Sequence, residues 1–128
     1  MGKEFETDFA IRGVGDRYTF VEIEKPTTPI FRKDGDFKSE FNHACEQVEA
    51  WLTWLKGNLA TARTKLPGLQ EPKGLVVIGL RSTMGPEEKT KFEAKNSRVS
   101  GEYEILTFDD LLERSKHLLQ YVRDYQAT

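Results

Sequence analysis

The chain has 128 residues, a length that suits one domain with a single core. Its 19 basic and 21 acidic residues leave a formal net charge of −2, which argues against holding nucleic acid by bulk charge alone but leaves room for a local basic face. A single cysteine excludes an internal disulfide, and no apolar stretch approaches the roughly 18 residues of a membrane helix. The charged start MGKEFETD is unlike a signal peptide. A reducing cytoplasm is therefore the expected setting.

The first quarter of the chain predicts a β-hairpin. Residues 4–12, EFETDFAIR, alternate toward their end, and residues 17–25, RYTFVEIEK, are rich in the aromatic and β-branched types that favour strands. The glycines and the aspartate of segment 13–16 are typical of a turn. Pro26 ends the second strand, so the two strands are expected to pair side by side.

A long helix is predicted to follow the hairpin. Ser39 is the expected N-cap, and apolar residues then recur at helical spacing to about Lys65, with Gly57 as a weak point. The cysteine lies on this apolar face, so packing is its expected role rather than nucleophilic chemistry. The side chains expected in the core are Phe41, Ala44, Cys45, Val48, Trp51, Leu52 and Leu55.

The second half of the chain predicts two more strands, each followed by a helix. GLVVIGL at 74–80 is typical of a buried strand, and Pro86 suits the first turn of a helix that runs to about Asn96. EYEILTF at 102–108 predicts a short strand, after which Thr107 caps the last helix. The residues of that helix expected to point inward are Leu111, Leu112, Ser115, Leu118, Leu119 and Val122.

The predicted element order is therefore β-β-α-β-α-β-α. A hairpin followed by alternating helices and strands favours an α/β (α+β) fold, with a mixed sheet flanked by helices.

Two acidic residues of the second predicted strand form the most informative cluster. Glu22 and Glu24 are two positions apart, so their side chains project from the same face of a strand. Neighbouring carboxylates repel each other unless a positive charge lies between them, and Mg²⁺ prefers carboxylate oxygens. Asp8 on the paired strand and the backbone carbonyl of Ile23 are further candidate ligands. The alternative interpretation is a solvated face of the strand, which a Glu-x-Glu pattern more often marks.

These residues carry a resemblance to a known family. TDF at 7–9, a turn, and FVEIEKP at 20–26 resemble the core of the PD-(D/E)xK nucleases. Over roughly residues 5–125 the chain is also similar to the Shedu anti-phage defence nuclease domain. The four blocks that carry this similarity are EIEKPTTPIF, FNHACEQVEAWLTWL, GLVVIGLRS and EILTFDDLLER.

The resemblance implies a restriction-endonuclease-like fold and a Mg²⁺-dependent deoxyribonuclease, with Mn²⁺ able to substitute. By position, Asp8 and Glu22 match the two metal-binding acids, and Gln47 matches a glutamine beside the catalytic centre. Glu24 falls where the family usually has a lysine. Glu24 would therefore act as a general base or bind a second ion, unless a bulge or Pro26 re-aims the neighbouring Lys25 into the site.

Several other polar residues are candidates for DNA contacts. His43 lies one helical turn before Gln47, while three basic residues flank the loop after the acidic strand and one follows the buried strand. The more common explanation is a solvated charge for the basic residues and a partly exposed structural histidine for His43. The nucleic-acid-binding candidates are Arg32, Lys33, Lys38, His43 and Arg81.

The PD-(D/E)xK core normally has a helix before its first core strand, whereas here three residues lead almost directly into a strand. We therefore expect one nuclease domain over residues 1–128, cut from a longer protein and without the first core helix. Apolar sheet surface left without that helix would favour a homo-oligomer. The alternatives are a catalytically inactive relative that binds nucleic acid or protein, and a purely structural module.

Overall fold

A four-stranded mixed sheet forms the centre of the part of the chain that the computed structural model describes, residues 9–127. The strands lie side by side in chain order; the first two are antiparallel, and the remaining neighbours are parallel. The strands are β1 (Phe9–Arg12), β2 (Tyr18–Ile23), β3 (Lys73–Val77) and β4 (Tyr103–Leu106).

Helices connect the parallel strands and close the described segment. The order agrees with the predicted alternation, apart from one extra short helix and a 3₁₀ turn at Arg81–Thr83. The mixed α/β architecture is therefore confirmed. The helices are α1 (Ser39–Gly57), α2 (Leu59–Ala62), α3 (Pro86–Val99) and α4 (Phe108–Ala127).

The predicted hairpin turn is present at the end of β1. The N–H of Gly13 donates to the carbonyl of Arg17 over 2.7 Å. Gly15 and Asp16 adopt left-handed backbone conformations, with φ of 74° and 58°. Glycine and aspartate tolerate this region better than most residues, so the local sequence explains the turn.

The main core lies between α1 and one face of the sheet. All seven side chains of α1 that the periodicity placed in the core are buried. They pack against alternate strand residues, including Phe20 of β2, Val76 of β3 and Ile105 of β4. The neighbours of these residues along the strands, such as Val21, point to the other face.

A glycine allows α1 to lie close to the sheet. A methyl group at Gly74 of β3 would lie 2.9 Å from Cβ of Tyr103 and closer than 3.0 Å to Cγ1 of Val48. Real Cβ atoms do not approach other atoms so closely, so any larger residue would push α1 away from the sheet. Gly74 therefore limits how closely α1 can approach β3.

The ends of the predicted long helix differ from the expectation. The N-cap is Lys38 rather than Ser39, and no side chain caps the helix there. At the other end α1 stops at Gly57, and the chain continues through the separate short helix α2. Glycine is a weak helix former, which explains why the predicted weak point became the boundary.

The interior prediction for the last helix is wrong, although its start is confirmed. The N–H of Asp110 donates to Oγ1 of Thr107 over 3.2 Å, so Thr107 caps α4 as expected. Every side chain from Leu111 to Gln126 is nevertheless exposed, including all six residues expected inside. The periodicity of α4 correctly indicates an apolar face, but no described element covers that face.

Candidate functional site

Glu22 lies on a central strand of the described sheet, on the face that α1 covers. Strand alternation places Glu22 on the same face as the buried Phe20, and its register partner is Val76 of the core. The Glu22 side chain is half-buried, whereas Ile23 on the opposite face is exposed. A carboxylate held partly under a helix is not the fully solvated residue of the alternative interpretation.

Gln47 lies on the flank of α1 opposite the one that faces β4. Residues 47 and 49 are separated by about 200° around a helix, so they occupy opposite flanks. The Tyr103 hydroxyl of β4 donates a hydrogen bond to the Glu49 carboxylate, which identifies the flank of α1 that faces β4. The half-buried Gln47 is therefore on the same side of α1 as Glu22.

Glu24 directly follows β2, and the strand geometry becomes irregular after it. The Glu24 N–H donates to the carbonyl of Val77 over 2.8 Å, as in a parallel ladder. Regular pairing would then join the Gly79 N–H to the carbonyl of Glu24, but it bonds the carbonyl of Lys25 over 3.3 Å. The ladder thus slips by one residue at Lys25, whose side chain is exposed, while Glu24 is half-buried.

Gly79 holds this irregular segment in place. Its φ is 65°, and an added methyl group would lie 3.0 Å from Ile30 and from the carbonyl of Thr28. The connection that follows Lys25 therefore packs directly on the end of β3. A side chain at position 79 would therefore force this connection away from the sheet.

The predicted DNA-binding residues before and on α1 lie on a short loop and on the helix surface. Phe31 and Phe37 pair across the base of this loop and stack with their rings 4.9 Å apart. Arg32 and Lys33 are exposed on the loop, and an oxygen of Asp34 lies 3.0 Å from the Arg32 guanidinium. Lys38 is half-buried at the start of α1, and His43 is exposed in the first turns of that helix.

Arg81 is engaged within the protein. Its guanidinium makes a two-point contact with Asp110 at 2.6 and 3.0 Å, and a third contact with Glu93 at 2.7 Å. It also lies 5.1 Å from the ring centre of Phe92. Hydrogen bonding to Asp110 raises the pKa of Arg81 above its ordinary value, so the group stays charged. These contacts dock the start of α4, and phosphate binding by Arg81 would have to compete with them.

Asp109 adds a second contact between the 3₁₀ turn and the start of α4. The sequence indicated this residue only as an acid near the start of a helix. Its carboxylate accepts the N–H groups of Arg81 and Ser82 over 2.8 and 2.9 Å, and also the hydroxyl of Thr107. Desolvation alone would raise the pKa of Asp109, but these hydrogen bonds outweigh it and lower the pKa to about 2.

Cys45 has the packing role expected of it. The side chain is buried in the core, and burial raises the pKa of its thiol to about 11. The thiol is therefore protonated at neutral pH and is not an activated nucleophile.

The acidic cluster has the donor chemistry for a hard divalent cation. Glu22 and Glu24 offer carboxylate oxygens at half-buried positions, and oxygen donors of this kind suit Mg²⁺. Asp8, the third expected acid, lies outside the described residues. Within residues 9–127 no group of three or more histidine, cysteine, aspartate or glutamate side chains is assembled that could hold a metal ion. The three-acid site therefore remains a prediction.

None of the described helices is long and apolar enough to cross a membrane.

Comparison with known proteins identifies the family of the chain. No curated protein matches it significantly. The family model described as "Shedu protein SduA, C-terminal" matches residues 2–112, which is most of the sequence and includes every candidate site residue. The chain therefore belongs to the Shedu protein SduA C-terminal family.

Proposed function

We propose that this chain is a metal-dependent DNA endonuclease domain that acts in anti-phage defence and has a restriction-endonuclease-like core. The observation that carries the proposal is the half-buried Glu22, which lies on a central strand, beneath α1 and on the Gln47 side of that helix. Membership of the Shedu protein SduA C-terminal family supports the defence role.

Asp8, Glu22 and the backbone carbonyl of Ile23 would hold Mg²⁺, for which Mn²⁺ would substitute. When bound, such an ion polarises a DNA phosphate and lowers the pKa of a coordinated water. Gln47 would orient the water or the phosphate by hydrogen bonding. Glu24 would accept the proton of the attacking water, since it is half-buried two residues after Glu22.

DNA would approach across the loop that follows the acidic strand. Arg32, Lys33 and Lys38 supply positive charge there, and His43 is exposed on the adjacent turn of α1. Contacts of this kind position the phosphate backbone without reading sequence. Arg81 would contribute only if a phosphate displaced one of its carboxylate partners.

Plasmid cleavage tests the proposal. The parent chain should nick or linearise plasmid with millimolar Mg²⁺ or Mn²⁺ and should be inactive with EDTA. Glu22→Gln should reduce the rate about 100-fold or more, because a metal ligand is lost. The matched control is Glu46→Gln, which removes an exposed carboxylate of α1 and should cut at the parental rate. Equal cutting by the Glu22 variant and the parent would contradict the assignment.

A catalytically inactive module that binds nucleic acid or protein is the second candidate. It is favoured by one observation, namely that Glu24 stands where the resemblance leads one to expect lysine. Metal-independent DNA binding without cleavage would support this candidate. If the chain does cut DNA, Glu24→Gln and Lys25→Met separate the two possible assistants. We expect the Glu24 variant to lose most of the activity and the Lys25 variant to retain it.

A further inference from the structure

Gly79 is the point at which β3 stops pairing regularly with both of its neighbouring strands. Toward β2, its N–H donates to the carbonyl of Lys25 instead of that of Glu24. Toward β4, the N–H of Phe108 donates to the carbonyl of Gly79 over 2.9 Å, whereas a regular ladder would join it to the carbonyl of Ile78. Gly79 therefore links the end of the acidic strand to the start of α4 through two backbone hydrogen bonds.

The side chain of Asp109 holds the 3₁₀ turn that follows Gly79. Its two carboxylate oxygens accept the backbone N–H groups of Arg81 and Ser82 over 2.8 and 2.9 Å. The hydroxyl of the fully buried Thr107 donates to the same carboxylate and fixes its orientation. Asp109 therefore joins the start of α4 to residues that lie two and three positions after Gly79.

Asp109 is not required to cap the helix on which it lies. Oγ1 of Thr107 accepts the N–H of Asp110 over 3.2 Å, and the Asp110 carboxylate accepts the N–H of Thr107 over 3.2 Å. These reciprocal bonds form a capping box, which serves the first turn of α4. Both oxygens of Asp109 bond the neighbouring turn instead, so a role in helix capping alone does not explain their geometry.

The backbone beside Glu24 is packed directly on Gly79. Glu24 lies one residue before the carbonyl that accepts the Gly79 N–H. The connection after Lys25 leaves little room there, since an added methyl group on Gly79 would lie 3.0 Å from Ile30 and from the carbonyl of Thr28. Closely packed groups transmit displacements to each other. A shift of Gly79 would therefore move the backbone next to Glu24.

We propose that Asp109 is a positioning residue for Glu24: it holds the 3₁₀ turn, the turn holds Gly79, and Gly79 fixes the backbone beside Glu24. The inference rests on the proposed function, in which Glu24 accepts the proton of the attacking water. A general base acts only within hydrogen-bond reach, so a displacement of about 1 Å can slow the chemical step about 100-fold. Asp109 is not among the proposed metal ligands, so the binding of Mn²⁺ and of DNA should stay unchanged when it is replaced.

Amide hydrogen exchange of the folded 128-residue chain tests the structural link without relying on activity. Asp109→Asn keeps the shape of the side chain but replaces one accepting oxygen with a donor group. Relative to amides in the middle of α1, those of Glu24, Gly79 and Phe108 should exchange about 5-fold faster or more in this variant. Asp124→Asn is the matched control, since it alters an exposed acid of the same helix and should exchange like the parent. Unchanged relative exchange of Glu24 and Gly79 in Asp109→Asn would overturn the proposal.

A double-mutant cycle of plasmid cleavage tests the role of Asp109 in the reaction. Asp109→Asn should lower kcat about 10-fold or more, while KM for DNA and the affinity for Mn²⁺ stay as in the parent. In a Glu24→Gln background the same change should have no further effect, because the base that it positions is already lost. A parental rate in Asp109→Asn, a loss that appears in KM alone, or fully additive losses would overturn the proposal. A parent that does not cut would instead overturn the proposed function, and hydrogen exchange would then decide whether Asp109 holds the acidic strand.

Discussion

Replacing Gly74 by alanine tests how α1 is positioned over the acidic strand. The added methyl group would lie 2.9 Å from Cβ of Tyr103 and closer than 3.0 Å to Cγ1 of Val48. Overpacking of this kind costs about 1–3 kcal/mol. For a domain of this size we expect the melting temperature to fall by about 3–12 °C.

Urea unfolding, followed by the fluorescence of the tryptophans on α1, measures this cost. Because the clash is local, the midpoint should fall while the slope stays the same. In a Val48→Ala background the same change should cost less than in the parent, since the closest atom is gone while the contact with Cβ of Tyr103 remains. Gly101→Ala is the matched control, since nothing lies within 4 Å of its added methyl group. A Gly74→Ala protein as stable as the parent, or an undiminished cost in the Val48→Ala background, would refute the reasoning.

Two further predictions concern ionisable groups. The folded-state pKa of Asp109 is about 2, below its ordinary value of 3.8, so its stabilising effect is present above about pH 4 and is lost as the pH falls toward 2. Asp109→Asn should therefore lower the free energy of unfolding by about 1 kcal/mol at pH 7. The difference in unfolding free energy from the parent should shrink as the pH falls from 4 toward 2. A difference that stays constant between pH 7 and pH 2 would contradict the lowered pKa of Asp109. Cys45 should resist a thiol reagent such as dithionitrobenzoate at pH 8 in the folded protein, and it should react at once in guanidinium. Rapid reaction of the folded protein would show that the thiol is accessible.

The sequence predicts those parts of the fold that depend on regular spacing. The period of the apolar residues correctly identified the buried face of α1, and strand alternation places Glu22 on the face of β2 that carries the core residue Phe20. The same periodicity failed for α4, because an amphipathic pattern indicates that a face is suited to burial but not what buries it. The slipped ladder at Lys25 depends on Gly79 and on the turn that packs against it, which lie far apart in the sequence.

The contacts around Arg81 show a second limit of sequence reasoning. The basic residue after a buried strand suggested a DNA contact, but the acids that engage it come from α3 and α4. Pairs this distant leave no periodic signal in a single sequence.

Crystals grown with Mn²⁺ test the central claim most directly. The account predicts an anomalous density peak bound by the carboxylates of Asp8 and Glu22, with the carbonyl of Ile23 nearby, and loss of that peak in Glu22→Gln. A fully occupied Mn²⁺ site elsewhere, or carboxylates of Asp8 and Glu22 that point to opposite faces of the sheet, would contradict it.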